Sequence, residues 1–357
     1  MHDDLSHALA EPFDVAVVGG GPAGLTAAVA LARAGVSTAL IAPLHCGDNR
    51  TTALLAGSVA VLERLEVWER CREDAEALCA IRIIDDRGGL VRAPEVLFDA
   101  AEIGLDAFGY NIPTERLVAA LAARAATLPT LRIVPRPAAA VVTGDDRVAI
   151  RLSEGETLTA RLVVGADGRA SLCRQAAGIA TRTWHYPQSA LTCNVTHSRP
   201  HRGVSTEFHT AAGPFTLVPL PGNRSGLVWV ARSRTAERLR ELDETRLSAA
   251  IERQAQSFLG TMKVEGARGL FPLSGMSAER FADRRIALVG EAAHVIPPIG
   301  AQGFNLGLRD AVTIADLAAQ AMRSGGDPGA SALLARYAAE RGADAGLRSA
   351  AVDLLNR

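Results

Sequence analysis

Apolar and polar positions along this chain switch between a period of two and a helical period, and each switch marks an element. FDVAVVG, from Phe13, reads as a short β-branched strand that breaks at Gly19-Gly20-Gly21. PAGLTAAVALARAG follows as an alanine-rich helix ending at Gly35, and Ser37 to Ala42 predicts a second strand, so one βαβ unit opens the chain. A helix is expected around Ser58 to Cys71, and Ala80 to Arg92 reads as a hairpin turning at Arg87-Gly88-Gly89. The next helix starts near Pro113-Thr114 and runs to about Thr127. Alternating runs at Leu131 to Val134, Ala138 to Thr143, Val148 to Leu152 and Leu158 to Ala166 are spaced too closely for crossover helices and predict a meander.

From Trp184 to Gly275 the texture changes. SALTCNVTH, GVSTEFHT, PFTLVPLP and SGLVWVA read as strands of a separate antiparallel sheet, the natural place for a substrate wall, with a helix near Glu244 to Leu259. A strand-to-loop pattern returns at RRIALVGEAAH, and two helices close the chain, Gln302 to Arg323 and Gly329 to about Leu355.

With 357 residues and 48% hydrophobic content, the chain can fill one large domain or two closely joined ones. Lys plus Arg number 38 against 39 Asp plus Glu, a formal charge of -1, so nothing draws the whole molecule to nucleic acid, and any phosphate binding must be local. The five cysteines (Cys46, Cys71, Cys79, Cys173, Cys193) show neither a C-x-x-C pair nor histidines at zinc spacing, which points to free thiols in a reducing cytoplasm and to no metal site. MHDDLSHALAEP has neither the basic start nor the apolar core of a signal peptide and reads as a disordered tail over residues 1–12. No apolar run is long enough to predict a membrane-spanning helix; peripheral contact with the inner face of a membrane stays open.

The first strand-to-helix turn carries G-x-G-x-x-G as Gly19, Gly21 and Gly24, with Pro22 and Ala23 between them. The three glycines serve different ends, namely a tight turn, backbone access to a pyrophosphate, and close packing of helix on strand. The helix N-terminus then offers free N–H groups to the phosphates. An acidic residue is expected about 20 positions on to hold ribose hydroxyls. Ala42 and Pro43 stand there instead, which leaves adenosine to other groups such as Arg50 or the backbone after Pro43.

A glycine loop alone leaves NAD and FAD unresolved; two later motifs decide for FAD. In LVVGADGRASLCR, Leu162 to Arg174, a strand runs into Asp167-Gly168, where Asp167 can cap backbone N–H groups and Gly168 permits a sharp turn. In IALVGEAAHVIPPIGAQGFNLGLRDA, Ile286 to Ala311, a strand delivers Glu291 toward the ligand, within reach of ribityl or ribose hydroxyls. A Pro-Pro-Ile-Gly-Ala-Gln-Gly loop then aims backbone donors at the negative charge that develops on a reduced flavin.

In this order the motifs, Gly19 to Gly24, Gly165 to Arg174 and Gly290 to Asn305, resemble those of the FAD-dependent aromatic-ring hydroxylases with the p-hydroxybenzoate hydroxylase fold, over nearly the whole chain. RTTALLAGSVAVLERLEVW, GYNIPTERL and EAAHVIPPIGAQGFNLGLRD are most similar to the ubiquinone-biosynthesis hydroxylases of that family. The resemblance implies an α/β fold with α+β elements: a discontinuous Rossmann-like FAD-binding domain (13–74, 109–182, 276–328), an inserted antiparallel-sheet substrate domain (75–108, 183–275) and a C-terminal helix (329–357). It also implies FAD held by Gly19, Gly21, Pro22, Ala23, Gly24, Arg50, Arg116, Asp167, Gly168, Glu291, Pro298, Gly300, Ala301, Gln302, Gly303 and Asn305, with Glu291 standing where the family usually has Asp. NADPH or NADH would serve as transient reductant, and O2 would add at flavin C4a to give the hydroperoxide that hydroxylates a phenolic, polyprenylated ring. Family members continue some tens of residues past DLLNR, which implies a truncated or short form here.

No catalytic base is assigned. His185, Tyr186 and His209 in the expected substrate sheet read more simply as packed or solvated, and His294 as a residue orienting its loop. Phe215, Leu217, Val218 and Leu220 read as sheet core before they read as an apolar pocket for a prenyl tail. Two other functions stay open, an FAD-dependent isoprenoid reductase or dehydrogenase and a non-catalytic flavoprotein subunit of a biosynthetic complex, as does homo-oligomerisation.

Overall fold

The computed structural model describes residues 12–43, 50–89, 92–297 and 302–356, with side chains in the last helix described as far as residue 346. Apart from Pro12, the expected tail lies outside the described residues, as does Cys46.

The chain begins as expected with β1 (Phe13–Val18), α1 (Pro22–Arg33) and β2 (Thr38–Ile41). Alanine and leucine favour the helix, Pro22 sits in its first turn where no intrahelical N–H is needed, and Gly35 at φ 84° ends it. Next come β3 (Thr51–Leu55) and α2 (Ala56–Arg64). The helix expected as far as Cys71 stops at Arg64 because Glu66 takes φ 60°, and two short 3-10 turns complete the segment. β4 (Glu76–Ala77), β5 (Ala80–Asp86), β6 (Val96–Asp99) and β7 (Gly109–Pro113) lead to α3 (Thr114–Ala125). The hairpin is wider than predicted, since β5 pairs Ala80 with Asp99 and Ile83 with Val96. Asp85 organises the link by accepting from Arg87 Nε at 2.9 Å and from the Ala93 N–H at 3.1 Å.

β8 (Leu131–Val134), β9 (Ala138–Thr143), β10 (Val148–Leu152) and β11 (Thr157–Gly165) occupy the stretch read as a meander, and only part of it is one. β9, β10 and the first half of β11 pair antiparallel. β8 instead lies parallel to β2, and β11 lies parallel to β1 at the centre of the main sheet. The sign is in the burial: Leu162 to Gly165 is buried without alternation, as in a parallel strand covered on both faces.

After α4 (Leu172–Ala176) come β12 (Thr181–His197), β13 (Val204–Thr210), β14 (Gly213–Leu220) and β15 (Arg224–Arg232), then α5 (Ser233–Glu241), α6 (Glu244–Gln254) and β16 (Met262–Ala278). The chain ends with β17 (Ala282–Asp283), β18 (Ile286–Leu288), β19 (His294–Val295), α7 (Gln302–Arg323) and α8 (Ser331–Asn356). Sequence reading missed α5 and the full length of β16; the interruptions at Gly266, Gly269 and Pro272 hide a 17-residue strand that shifts register twice against β12.

Three sheets result. The first runs β17-β18-β11-β1-β2-β8, with β18, β11, β1, β2 and β8 parallel. The second runs β19-β16-β12-β15-β14-β13-β5-β6, antiparallel except where β5 meets β13. The third is the small β3-β7-β4 sheet between them, tied to β14 by Asn111 Nδ2 donating to the Pro219 carbonyl at 2.9 Å. α1 packs under the first sheet through Leu25, Ala28, Leu31 and Ala32 and reaches it only because Gly24 has no side chain: a methyl there would lie 2.0 Å from the Gly19 carbonyl oxygen. Gly24→Ala is therefore expected to lower stability by about 3 kcal/mol or more. Gly21→Ala, with nothing within 4 Å of the added methyl, should leave the urea midpoint of the cofactor-free chain nearly unchanged.

Candidate functional site

The three motifs meet at the carboxyl ends of β1, β11 and β18, and they meet backbone to backbone. A methyl on Gly19 would lie 2.1 Å from the Ala166 carbonyl oxygen, which locks the glycine loop against the Asp-Gly turn. Gly290, at φ 60°, lies against the Ala23 methyl, and a methyl on Gly307 would stand 3.1 Å from the Gly290 Cα, which locks the late motif onto the start of α1. Gly21, the N-cap of α1, makes no side-chain cap and faces open space, so the first N–H groups of the helix are free for a ligand. This cradle fits a dinucleotide pyrophosphate. Ala42 is buried against Gly20, 2.8 Å from where a methyl on that glycine would stand, and so holds the place that the fingerprint gives to an acidic residue.

Asp167 does cap, as expected from the sequence. One carboxylate oxygen accepts from Ser171 Oγ at 2.5 Å and the other from the Cys173 N–H at 3.1 Å, while Ser171 itself caps α4. Gly168 takes φ 76° in the turn. Arg174, which the sequence did not single out, ties two motifs together by donating to the Ala292 carbonyl at 2.8 Å and the Arg169 carbonyl at 2.6 Å. Glu291 reaches the other way across the groove and pairs with Arg169 at 3.0 Å, both half exposed. Asn305 spends its amide on β3 and α2: it accepts from the Leu55 N–H and Ser58 Oγ and donates to the Ala53 carbonyl. Gln302 and Gly303 open α7, with open space around Gly303, whereas Pro298, Gly300 and Ala301 lie outside the described residues.

Arg50 is exposed, and its guanidinium lies 5.6 Å from the centre of the Phe271 ring on the antiparallel sheet. Arg116 is not brought to this group among the described residues; it stands on the solvent side of α3, 3.6 Å from Asp74. His185 is exposed, Tyr186 accepts from the Trp184 indole at 2.8 Å, and His209 pairs with Glu207 at 2.6 Å, so none of these forms a catalytic pair with another. Phe215 and Leu217 pack with Leu247 and Ile251 of α6 and are sheet core; Val218 points to the opposite face.

Sequence reading missed the charged core behind the site. Asp310, 0% exposed, accepts from the Gly290 N–H at 3.0 Å, from His294 Nε2 at 2.6 Å and from Arg341 Nε at 2.7 Å. His294 thus orients its loop as expected, through a partner on α7. Burial pushes the Asp310 carboxyl up, and its bonds to His294 and Arg341 outweigh this, so it sits below the ordinary carboxylate value. The signal was there: Asp310 falls four residues after Leu306 and four before Ile314 on the apolar stripe of α7, and Arg341 four after Tyr337 on α8.

The architecture and the cradle decide the family. A profile of the FAD binding domain family matches residues 12–347. The chain belongs to this family. The ubiquinone hydroxylase UbiL of Rhodospirillum rubrum is 40% identical over 96% of this chain and 81% of its own length. The 3-demethoxyubiquinol 3-hydroxylase of Escherichia coli is 35% identical over 96% of this chain and 89% of its own. Among solved structures, PqsL of Pseudomonas aeruginosa, described as a probable FAD-dependent monooxygenase, superposes with a TM-score of 0.81 at 23% identity, covering 97% of this chain and 96% of that one, and so shares the fold.

The lowered pKa of Asp310 has a defined sign. Its contribution is complete above the unfolded carboxylate value of about 4 and is lost as pH falls through the folded value. Asp310→Asn should cost about 3–5 kcal/mol at pH 7, because buried Arg341 loses its nearest counter-charge. The deficit should shrink as pH falls below about 4, which urea midpoints across that range would register; a deficit independent of pH would remove the electrostatic account.

Proposed function

We propose that this chain is an FAD-dependent monooxygenase that hydroxylates the ring of a phenol bearing an apolar tail, with NADPH or NADH as transient reductant and O2 as co-substrate. The observation that carries the reading is the convergence of the three motifs at one end of the parallel sheet, with β3 held to α7 by Asn305 and laid against the antiparallel sheet. Relatives named for ubiquinone and 3-demethoxyubiquinol hydroxylation support the substrate class. We read 13–74, 109–182 and 276–328 as the cofactor-binding part, 75–108 and 183–275 as the substrate-binding part and 329–357 as a closing helix.

When bound, FAD supplies the oxygen-transfer chemistry. The backbone of Gly19, Gly21, Pro22, Ala23 and Gly24 would receive the pyrophosphate at the start of α1. Glu291 would leave Arg169 for sugar or ribityl hydroxyls. Asp167 and Asn305 would help shape the turns around the cofactor through their bonds to neighbouring backbone and hydroxyl groups, and Gly168 through its left-handed turn. The loop holding Pro298, Gly300 and Ala301, with Gln302 and Gly303 at the head of α7, would present N–H groups to the electron-rich side of the ring system. Arg50 would flank the substrate wall, and Arg116 would contribute charge from α3. The sheet would position the phenol and keep water from it. Among the described residues no helix is long and apolar enough to cross a membrane.

The test is an anaerobic NADPH titration of the FAD-loaded protein, with and without a tailed phenol, followed by admission of O2. Faster bleaching of the flavin with phenol present, and a product one oxygen atom heavier, are expected. Reductant consumed without oxygen insertion would transfer the reading to a reductase. Failure of the folded chain to take up FAD would point to a scaffold subunit.

A further inference from the structure

The two faces of the antiparallel sheet differ in a way that packing alone does not explain. One face, with Leu191, Phe208, Phe215, Leu217 and Leu227, is closed by α6. On the other, residues paired in register form a continuous row: Thr192 with Val228, Val228 with Thr216, Thr216 with Glu207, Glu207 with Ile83, and Ile83 with Val96. Directly paired residues share a face. The face is the one turned to β3, since a methyl on Gly226 would meet Thr51 Oγ1 at 2.8 Å. The row therefore runs from the substrate wall beside Phe271 to the edge strand β6, where Phe98, paired with Ile81, extends it in the next row.

Its chemistry changes along the way. Threonines and Val228 lie near β3; Glu207, held by His209 at 2.6 Å and Thr216 at 3.3 Å, marks a boundary; Ile81, Ile83, Val96 and Phe98 lie beyond it. A recess of about 280 Å³ opens there, lined by Ile83, Ala93, Pro94, Val96 and His209 together with Asp85 and Arg87. Val96 and Phe98 are 41% and 48% exposed, although edge strands are ordinarily guarded by charge. Of the eight large hydrophobic side chains exposed among the described residues, five fall between Val96 and Leu105, so the bareness is local to this edge.

We propose that the strip from Ile83 to Val96 and Phe98 is the subsite for the apolar tail of the substrate, the ring being held further along the same row near Thr192 and Val228. The inference rests on the hydroxylase reading above. Continuity with the substrate wall favours this occupant, and local charge disfavours a lipid surface: between residues 92 and 106 one cation, Arg92, stands against Glu95, Asp99, Glu102 and Asp106, a rim that anionic headgroups repel. A hydrocarbon tail is indifferent to that charge.

Leu97 provides an internal control, because it is as exposed as its neighbours but pairs with Arg82 on the α6 side, whose guanidinium lies over Phe258. Val96→Ser, Phe98→Ser and Leu97→Ser would be compared with the native chain, all FAD-loaded and checked by circular dichroism, on two phenols that differ only in carrying a methyl group or a farnesyl tail. Val96→Ser and Phe98→Ser should raise KM for the tailed phenol by about tenfold and leave the methyl phenol unchanged, whereas Leu97→Ser should match the native chain on both. Equal KM for the two phenols on the native chain, or the same loss in all three variants, overturns the subsite and leaves the hydroxylase reading intact. A native chain that hydroxylates neither phenol overturns both. Loss of sedimentation with phosphatidylglycerol vesicles, or a change in oligomeric size, with tail preference unchanged, also overturns the subsite and assigns the strip to a membrane or a second copy.

Discussion

Close approach of backbone to backbone is the constraint on which this structure depends. The Gly19 carbonyl occupies the space that a side chain at Gly24 would need, the Ala166 carbonyl occupies the space beside Gly19, and Gly290 and Gly307 touch through their Cα atoms. These contacts bring the ends of β1, β11 and β18 to one place with no side chain larger than the methyls of Ala23 and Ala166 at the glycine contacts. The turns of the three motifs are then adjacent surfaces of one groove, and the free N–H groups of α1 open into it.

Glycine contacts fix distance but not orientation, and the orientation comes from charge. Gly290 takes a left-handed conformation that Asp310 holds from behind through the backbone N–H, and Asp310 is in turn held by His294 and by Arg341 from the last helix. A buried carboxylate is costly unless its partners are complete. Its presence therefore makes α8 part of the site, since Arg341 supplies one of those partners and Tyr337 of the same helix donates to the Leu288 carbonyl at 2.6 Å. Arg174 makes the corresponding link between the Asp-Gly turn and the Ala292 carbonyl. Charged side chains thus brace the motifs from behind.

What was legible in the sequence follows from the range of the forces involved. The glycine loop, the Asp167 cap and the full span of α7 are written in neighbouring residues, because turns, caps and helical stripes are local. Strand partnership is not local. Nothing near Leu131 or Leu158 distinguishes a meander strand from a parallel one, and only the unbroken burial of Leu162 to Gly165 betrays the second role of β11. Arg116 was assigned by resemblance, and the structure gives it Asp74 and solvent. Arg341 lies 31 residues past Asp310, the residue it serves.

The antiparallel sheet shows how function can be separated from packing without a ligand in view. Its α6 face is fully accounted for: Phe215, Leu217 and Leu227 are buried because burial of apolar area drives the sheet to acquire a cover. Its other face is covered among the described residues only in part, by Thr51 of β3 against Gly226 and around the small buried cluster of Ala190, Val230 and Leu273, yet the rest is not a solvent face, for Val228, Val218, Ile83 and Val96 stand among threonines. A surface selected only for solubility would carry charge at these positions. A half-open row that is polar beside β3 and apolar at the rim of the molecule is instead what a substrate with a polar head and an apolar tail would match, and that match links the edge strand to the opposite end of the sheet.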